Sequence, residues 1–344
     1  MTRVAKRSGT LARMDIRAQL QLNMVADEPS ALVAAVRPIL RGLVLGVKGD
    51  VVAEAGGYGS MKLKMLPRLR RPKDGDVGIC FEYAVHDAMR QRNPMVLERV
   101  DAALNLCPVR GADLDSILFA VEKSGSEQFI DTARELVTPD SRLLAGTRGQ
   151  PAKLDRHIEG IARAFRKKDA REALPQSIAG VWKADLFLGA TDTDRWVATT
   201  VKVNPRRLEG ARGLRVGIVP ASQGSGDAPY KDDKRNLVVC PLLYDGNFVE
   251  IFYLAWETVQ QFLAYDAQVP PDVALPRPAM RQVARMLADR RDYPALDVVE
   301  ALTPLAQPEL LDTTDEQAEV VLTRGDATDM QAVLSPEPTG LRGI

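Results

Sequence analysis

The sequence predicts an α/β protein in which a central mixed β-sheet is flanked by helices, with helical additions before and after it. Three observations lead there. Short apolar runs of β type cluster between residues 182 and 255, helical periodicity precedes them from residue 78, and helical patterns return after them. The chain has 344 residues, 45% of them hydrophobic and 27% charged, enough to build a sizeable core.

Taken in order, residues 1–28 read as a basic arm passing into a short strand or helix. An apolar helix follows over ALVAAVRPILRGLVLG, with Pro38 expected to bend it or end part of it. Residues 55–60 (AGGYGS) form a glycine-rich turn. The next run carries Lys62, Lys64, Arg68, Arg70, Arg71 and Lys73 without an acid, interspersed with leucines, and reads as an ordered basic strand or hairpin. From Gly78 the pattern is helical, with Phe81, Val85, Ala88 and Met89 at spacings of three and four, and more helix follows through VLERVDAALNL. Another helix opens near Ser124, where Ser124 and Glu127 have capping-box spacing, and stops before Pro139. Residues 138–152 read as a loop, and residues 153–170 as a strongly amphipathic basic helix.

The texture then changes. WKADLFLG, RWVATTVKVN, LRVGIVPA, NLVVCPLLY and FVEIFYLA are runs of β type, with a hairpin turn at Asp192–Asp194 between the first two and a polar loop over residues 221–236. WETVQQFLAYDA closes the set as a helix, residues 269–278 are proline-rich, and MRQVARMLADRRDY is the last helix before an acidic tail. This divides the chain into a basic region over 1–77, an α/β core over 78–263 with a helical insertion at about 90–150, and a helical extension over 264–344.

Charge and composition narrow the function. There are 46 basic and 46 acidic residues, which argues against a protein that coats nucleic acid wholesale. The charge is uneven, with 13 Lys/Arg against 5 Asp/Glu in residues 1–71 and 2 against 8 in residues 301–344. Polyanion contact near the front is one reading and two solvent-facing ends the other; the tail would also suit a basic partner protein. Cys80, Cys107 and Cys240 form no CxxC pair, so a reducing cytoplasm is the expected compartment. With only His86 and His157 available, a histidine zinc site or a Ser–His–Asp triad has little to draw on. No apolar run of membrane-spanning length occurs, and the basic N-terminus lacks the apolar stretch of a secretory signal. Neither Gly56–Ser60 nor Ser222–Gly226 has the surroundings of a phosphate or dinucleotide loop, so no cofactor-binding residue is assigned.

The informative pair is Asp185, within Ala184-Asp185-Leu186-Phe187-Leu188, and Lys202, within Thr199-Thr200-Val201-Lys202-Val203. A charge inside an apolar strand costs several kcal/mol unless it is paired or solvated in a cleft. Two such residues on adjacent strands suit metal-dependent phosphodiester cleavage, where a carboxylate holds Mg²⁺ and a lysine orients the attacking water and steadies the phosphate. The alternative is a cross-strand ion pair on an exposed sheet face.

The order of helix, strand with Asp, hairpin and strand with x-x-Lys resembles the PD-(D/E)xK, restriction-endonuclease-like nucleases. The resemblance spans about residues 78–262 and rests on a short, degenerate motif. It implies a restriction-endonuclease-like core and a Mg²⁺-dependent (or Mn²⁺-dependent) DNA endonuclease, of the kind found in prokaryotic restriction or anti-phage systems. Asp185 would be the metal ligand and Lys202 the catalytic lysine. A helical glutamate would complete the site, either Glu82 in GICFEYAVHDAM or Glu159 in DRHIEGIARAF, with Glu82 preferred. Thr200 stands where an acidic ligand is expected. Either the second carboxylate has moved to the helix and Thr200 holds a metal-bound water, or the chain is an inactive nuclease-like subunit that binds nucleic acid. Arg156, Arg163, Arg166, Lys167 and Lys168 of the basic helix, with Lys62, Lys64, Arg68, Arg70 and Arg71, are the expected phosphate contacts. An ordinary amphipathic surface helix is the alternative for the 153–170 segment. A homodimer would also be compatible with this plan.

Overall fold

Helix α1 spans residues 28–45 and runs unbroken through Pro38, where a bend or an end was expected. Proline removes one helical hydrogen bond. Burial of Leu32, Val33, Val36, Ile39, Leu40, Leu43 and Val44 along the same helix offsets that loss. A computed structural model describes residues 28–70, 74–119, 133–145, 150–176, 178, 184–210, 213–221, 227–244 and 248–306. The N-terminal arm, the acidic tail, Arg71, Lys73, most of the helix expected from Ser124 and the Ser222–Gly226 segment lie outside these residues.

The basic run after the glycine turn is neither strand nor hairpin. It folds into a 3₁₀ turn at Leu63–Met65 and a short helix at Leu66–Leu69. Pro67 stands in the first turn of that helix, where its missing N–H costs nothing, and Leu63 and Leu66 are fully buried. Helix α2 (Asp74–Arg90) and helix α3 (Pro94–Asn105) follow, the latter capped by the Asn93 side chain accepting from the Val96 amide at 3.1 Å. Helix α4 (Leu154–Arg166) is the amphipathic basic helix.

Among the described residues, eight strands form one mixed sheet: β1 (Leu114–Leu118), β2 (Arg142–Leu144), β3 (Pro151–Lys153), β4 (Leu186–Ala190), β5 (Arg195–Val201), β6 (Arg215–Ala221), β7 (Tyr230–Asp232) and β8 (Leu237–Leu243). The main path runs β1-β4-β5-β6-β8-β7. Antiparallel β1, β4 and β5 lie on one side, while β5, β6 and β8 are parallel. Four of these strands were not foreseen: β1 falls in the expected helical insertion of about 90–150, β2 and most of β3 in the expected 138–152 loop, and β7 in the expected polar loop of 221–236.

The edge of β5 facing away from β4 is shared. Residues Arg195–Val197 pair with β2, and residues Ala198–Val201 pair with β6. Where β2 ends and β6 begins, the backbones approach so closely that a Cβ at Gly213 would collide with the Ala145 carbonyl oxygen.

FVEIFYLA is not a strand. It forms the first half of helix α5 (Phe248–Ala264), continuous with WETVQQFLA. Val249, Phe252, Ala255, Trp256, Val259, Phe262 and Leu263 are buried at helical spacing. Helix α6 (Pro278–Asp289) and helix α7 (Ala295–Ala301) follow, and short helices also form at Gly49–Glu54 and Lys168–Glu172.

Helices line both faces of the sheet. One face buries Leu186, Leu188, Val197, Val201, Val216 and Ile218 in a single cluster with residues of α1, α2, α3, α5, α6 and α7. The other buries Ile117, Phe119, Leu143, Phe187, Trp196 and Ala198 against Leu154, Ile158, Ile161 and Ala162 of α4. The molecule is thus an α/β protein built on a mixed, open eight-stranded sheet. Among the described residues, no helix is long and apolar enough to cross a membrane.

Candidate active site

The charges singled out by the sequence do not lie within strands. Asp185 is the residue before β4, and Lys202 is the residue after β5. Because the two strands are antiparallel, both residues come to the same end of the hairpin. The backbone of Asp185 is held on two sides. Its amide donates to the Thr199 carbonyl at 2.8 Å, and its carbonyl accepts from the Phe119 amide at 2.9 Å. The Lys202 amide donates to the Ile218 carbonyl of β6 at 3.0 Å.

One carboxylate oxygen collects the local donors. Asp185 Oδ2 accepts from the Thr200 hydroxyl at 3.0 Å, the Val201 amide at 3.0 Å and Lys202 Nζ at 2.8 Å. Asp185 is only 2% exposed, so this is not the exposed cross-strand ion pair of the bland alternative. A buried ion pair adds little net stability, because desolvation opposes the Coulomb attraction. Thr200 does not stand as a vacant ligand position. Its hydroxyl is committed to the Asp185 carboxylate.

Helix α2 delivers the second carboxylate. Its Cys80 side packs on α1, with the thiol donating to the Ile39 carbonyl, and its Phe81 ring meets Phe252 of α5 at 4.9 Å. The remaining stripe, Glu82 and His86 at i and i+4, faces the strands. His86 Nδ1 lies 2.6 Å from the Ser116 hydroxyl of β1, and one turn earlier Glu82 Oε1 lies 3.8 Å from Lys202 Nζ. Glu82, Asp185 and Lys202 therefore converge, with Lys202 between the two acids and its side chain 32% exposed.

Glu159 does not join them. It sits on the exposed face of α4, 3.7 Å from Arg163 in an i,i+4 pair. Arg70 is corrected as well. Its guanidinium donates to the Leu43 carbonyl and pairs with Asp76, its side chain is 12% exposed, and it braces α1 rather than facing a ligand. Lys64 pairs with Asp292 at 2.5 Å, whereas Lys62 and Arg68 are exposed. On and after α4, Arg156, Arg163 and Lys167 are exposed, and the side chains of Arg166 and Lys168 fall outside the described set.

Two features escaped the sequence reading. Arg215, at the start of β6, is buried at 7% exposure. Burial lowers its pKa, and the charges of Asp185 and Glu209 act in the opposite direction. The signal was a charge inside the apolar run LRVGIVPA, the same signal that marked Asp185. Arg206 and Arg207 form an exposed 3₁₀ turn four and five residues beyond Lys202, capped by the Asn204 side chain. The Asn204-Pro205 pair announces that turn.

Burial holds the His86 imidazole down at about 3, and the Arg90 and Arg41 charges add to the effect. The side chain is therefore neutral near pH 7 and is no proton carrier there. Its folded pKa lies below the unfolded value of 6.5, so unfolding takes up a proton between those limits. Stability from this residue is complete above about pH 6.5 and is lost as pH falls toward 3. Urea midpoints of wild type and His86→Gln should separate on the acid side, wild type losing about 2 kcal/mol more between pH 7 and 5. Parallel pH profiles would contradict this account.

The donor set suits a hard cation. Two carboxylates offer oxygen ligands, and Mg²⁺ is commonly held by one or two carboxylates together with water and phosphate oxygens. No group of three or more His, Cys, Asp or Glu gathers among the described residues, so a cage made wholly of side chains is not present there. Glu82 and Asp185 are the residues that would hold the ion. Comparison with known proteins adds no relative to this geometry: no family model, no curated protein and no solved structure matches the chain.

Proposed function

We propose that this protein is a Mg²⁺- or Mn²⁺-dependent endonuclease of the PD-(D/E)xK kind, cutting phosphodiester bonds in nucleic acid, with DNA as the favoured substrate. The observation that carries the reading is the meeting of Glu82, Asp185 and Lys202 at one end of the β4–β5 hairpin, with Lys202 Nζ 2.8 Å and 3.8 Å from the two acids. Their order along the chain, helical Glu, then Asp before one strand, then Lys after the next, supports the same reading.

The bound divalent ion would supply Lewis acidity and a water of lowered pKa. The protein's own groups have the remaining roles. Glu82 and Asp185 hold the cation, Lys202 steadies the anionic phosphate, and the Thr200 hydroxyl fixes the Asp185 carboxylate. Exposed Arg206 and Arg207, close after Lys202, and Arg156, Arg163 and Lys167 on and after α4 are the proposed backbone contacts.

Supercoiled plasmid incubated with the full chain and Mg²⁺ or Mn²⁺ should be nicked, and EDTA should stop the reaction. One observation favours a second reading, a nuclease-like subunit that binds without cutting: Thr200 occupies the place of a second strand carboxylate. That reading expects no nicking and nucleic-acid binding that weakens steeply with salt but ignores EDTA.

A further inference from the structure

We infer that Lys202 is the internal counter-ion of the candidate cation site, so that the free protein binds the divalent ion weakly and nucleic acid and cation bind cooperatively. The inference rests on the endonuclease reading and goes beyond it to how the site is loaded.

The argument is positional. Lys202 Nζ is shared by the two carboxylates that would hold the ion, at 2.8 Å from Asp185 and 3.8 Å from Glu82. A cation entering between them displaces a bonded ammonium from a carboxylate that is 2% exposed, not merely water from an open one. The buried Arg215 guanidinium, whose charge interacts with Asp185, further opposes a second positive charge there. Lys202 also has somewhere to go. Its side chain is 32% exposed, and lysine carries its charge on a flexible four-carbon stem that readily takes a phosphate as partner. A backbone phosphate drawing the ammonium outward leaves Glu82 and Asp185 available to the ion. By linkage, the ion then strengthens nucleic-acid binding by the same factor.

The test measures Mn²⁺ binding to the full chain without nucleic acid, read from the electron-paramagnetic-resonance signal of free Mn²⁺. Lys202→Met keeps the aliphatic stem and removes the charge. It should bind Mn²⁺ at least about tenfold more tightly than wild type, a change of about 1.4 kcal/mol. Binding that is equal or weaker overturns the inference. A second measurement uses wild type alone, so it does not depend on the variant folding. A phosphorothioate duplex, which keeps the backbone charge but resists hydrolysis, should tighten Mn²⁺ binding by a similar factor, and an unchanged affinity counts equally against the inference. Plasmid nicking by wild type separates the two failures. Nicking with no gain in Lys202→Met rejects the counter-ion alone, whereas no nicking and no Mn²⁺ binding in either protein rejects the endonuclease reading with it.

Discussion

Asp185→Asn should lower plasmid nicking by at least about 10³-fold while leaving the fold intact. The amide keeps the size of the carboxylate and an oxygen that accepts from the Thr200 hydroxyl and the Val201 amide. It lacks the charge that holds Lys202 and would hold the metal. Lys202 is not stranded by this change, since Glu82 lies 3.8 Å away and the side chain is partly in solvent. The variant should stay folded with a lowered unfolding midpoint, because removing one partner of a buried pair is destabilising and the buried Arg215 loses the same charge. Lys202→Ala and Glu82→Gln should lose activity on the same scale. Glu159→Gln is the internal control and should stay within about twofold of wild type, because Glu159 is exposed on α4 and pairs with its helical neighbour Arg163 away from the other two acids. Full nicking by both Asp185→Asn and Lys202→Ala would end the endonuclease reading.

Trp196→Ala should be the most damaging single change to the fold, at about 3–5 kcal/mol. Trp196 is fully buried and stands opposite Gly189 in the β4–β5 register. A Cβ at Gly189 would come within 2.6 Å of the indole ring, so this glycine is the space into which the tryptophan lies. The indole belongs to the cluster that joins the sheet to α4, beside the edge-to-face pair of Phe119 and Phe187, whose centroids are 4.0 Å apart. Its loss would consume a large share of the 5–15 kcal/mol typical of a domain. Trp196 also shares a strand face with Thr200. The variant should therefore lose activity as well as urea resistance, and Trp196→Phe should recover more than half of the stability. A loss below about 1 kcal/mol would mean that this face is not packed around the indole.

The parts of the molecule legible in the sequence are those where one residue contrasts with its surroundings. Asp185 and Lys202 stood out because each is a charge among apolar neighbours, and Glu82 because the nuclease resemblance asks for a helical glutamate and Phe81-Glu82-Tyr83-Ala84-Val85 lies in the helical pattern before the strands. α5 was misread for the opposite reason. Its first half is apolar, aromatic and buried on several sides, so periodicity offered no contrast between helix and strand. β2, β3 and β7 are three residues long, too short for an alternating pattern, and exist because neighbouring strands offer open edges. Arg70 looked like its basic neighbours, and only tertiary structure shows that it turns inward to Leu43 and Asp76.

The division of the β5 edge at Val197–Ala198 governs how the sheet comes apart. One strand carries two separate ladders, and fraying of the β2–β3 hairpin unzips only the one that begins the strand. Thr199 remains seated between β4 and β6, and Thr200 and Val201 remain paired with β6, with Asp185 still fastened to them. Amide hydrogens of the two halves would thus exchange as members of different cooperative units.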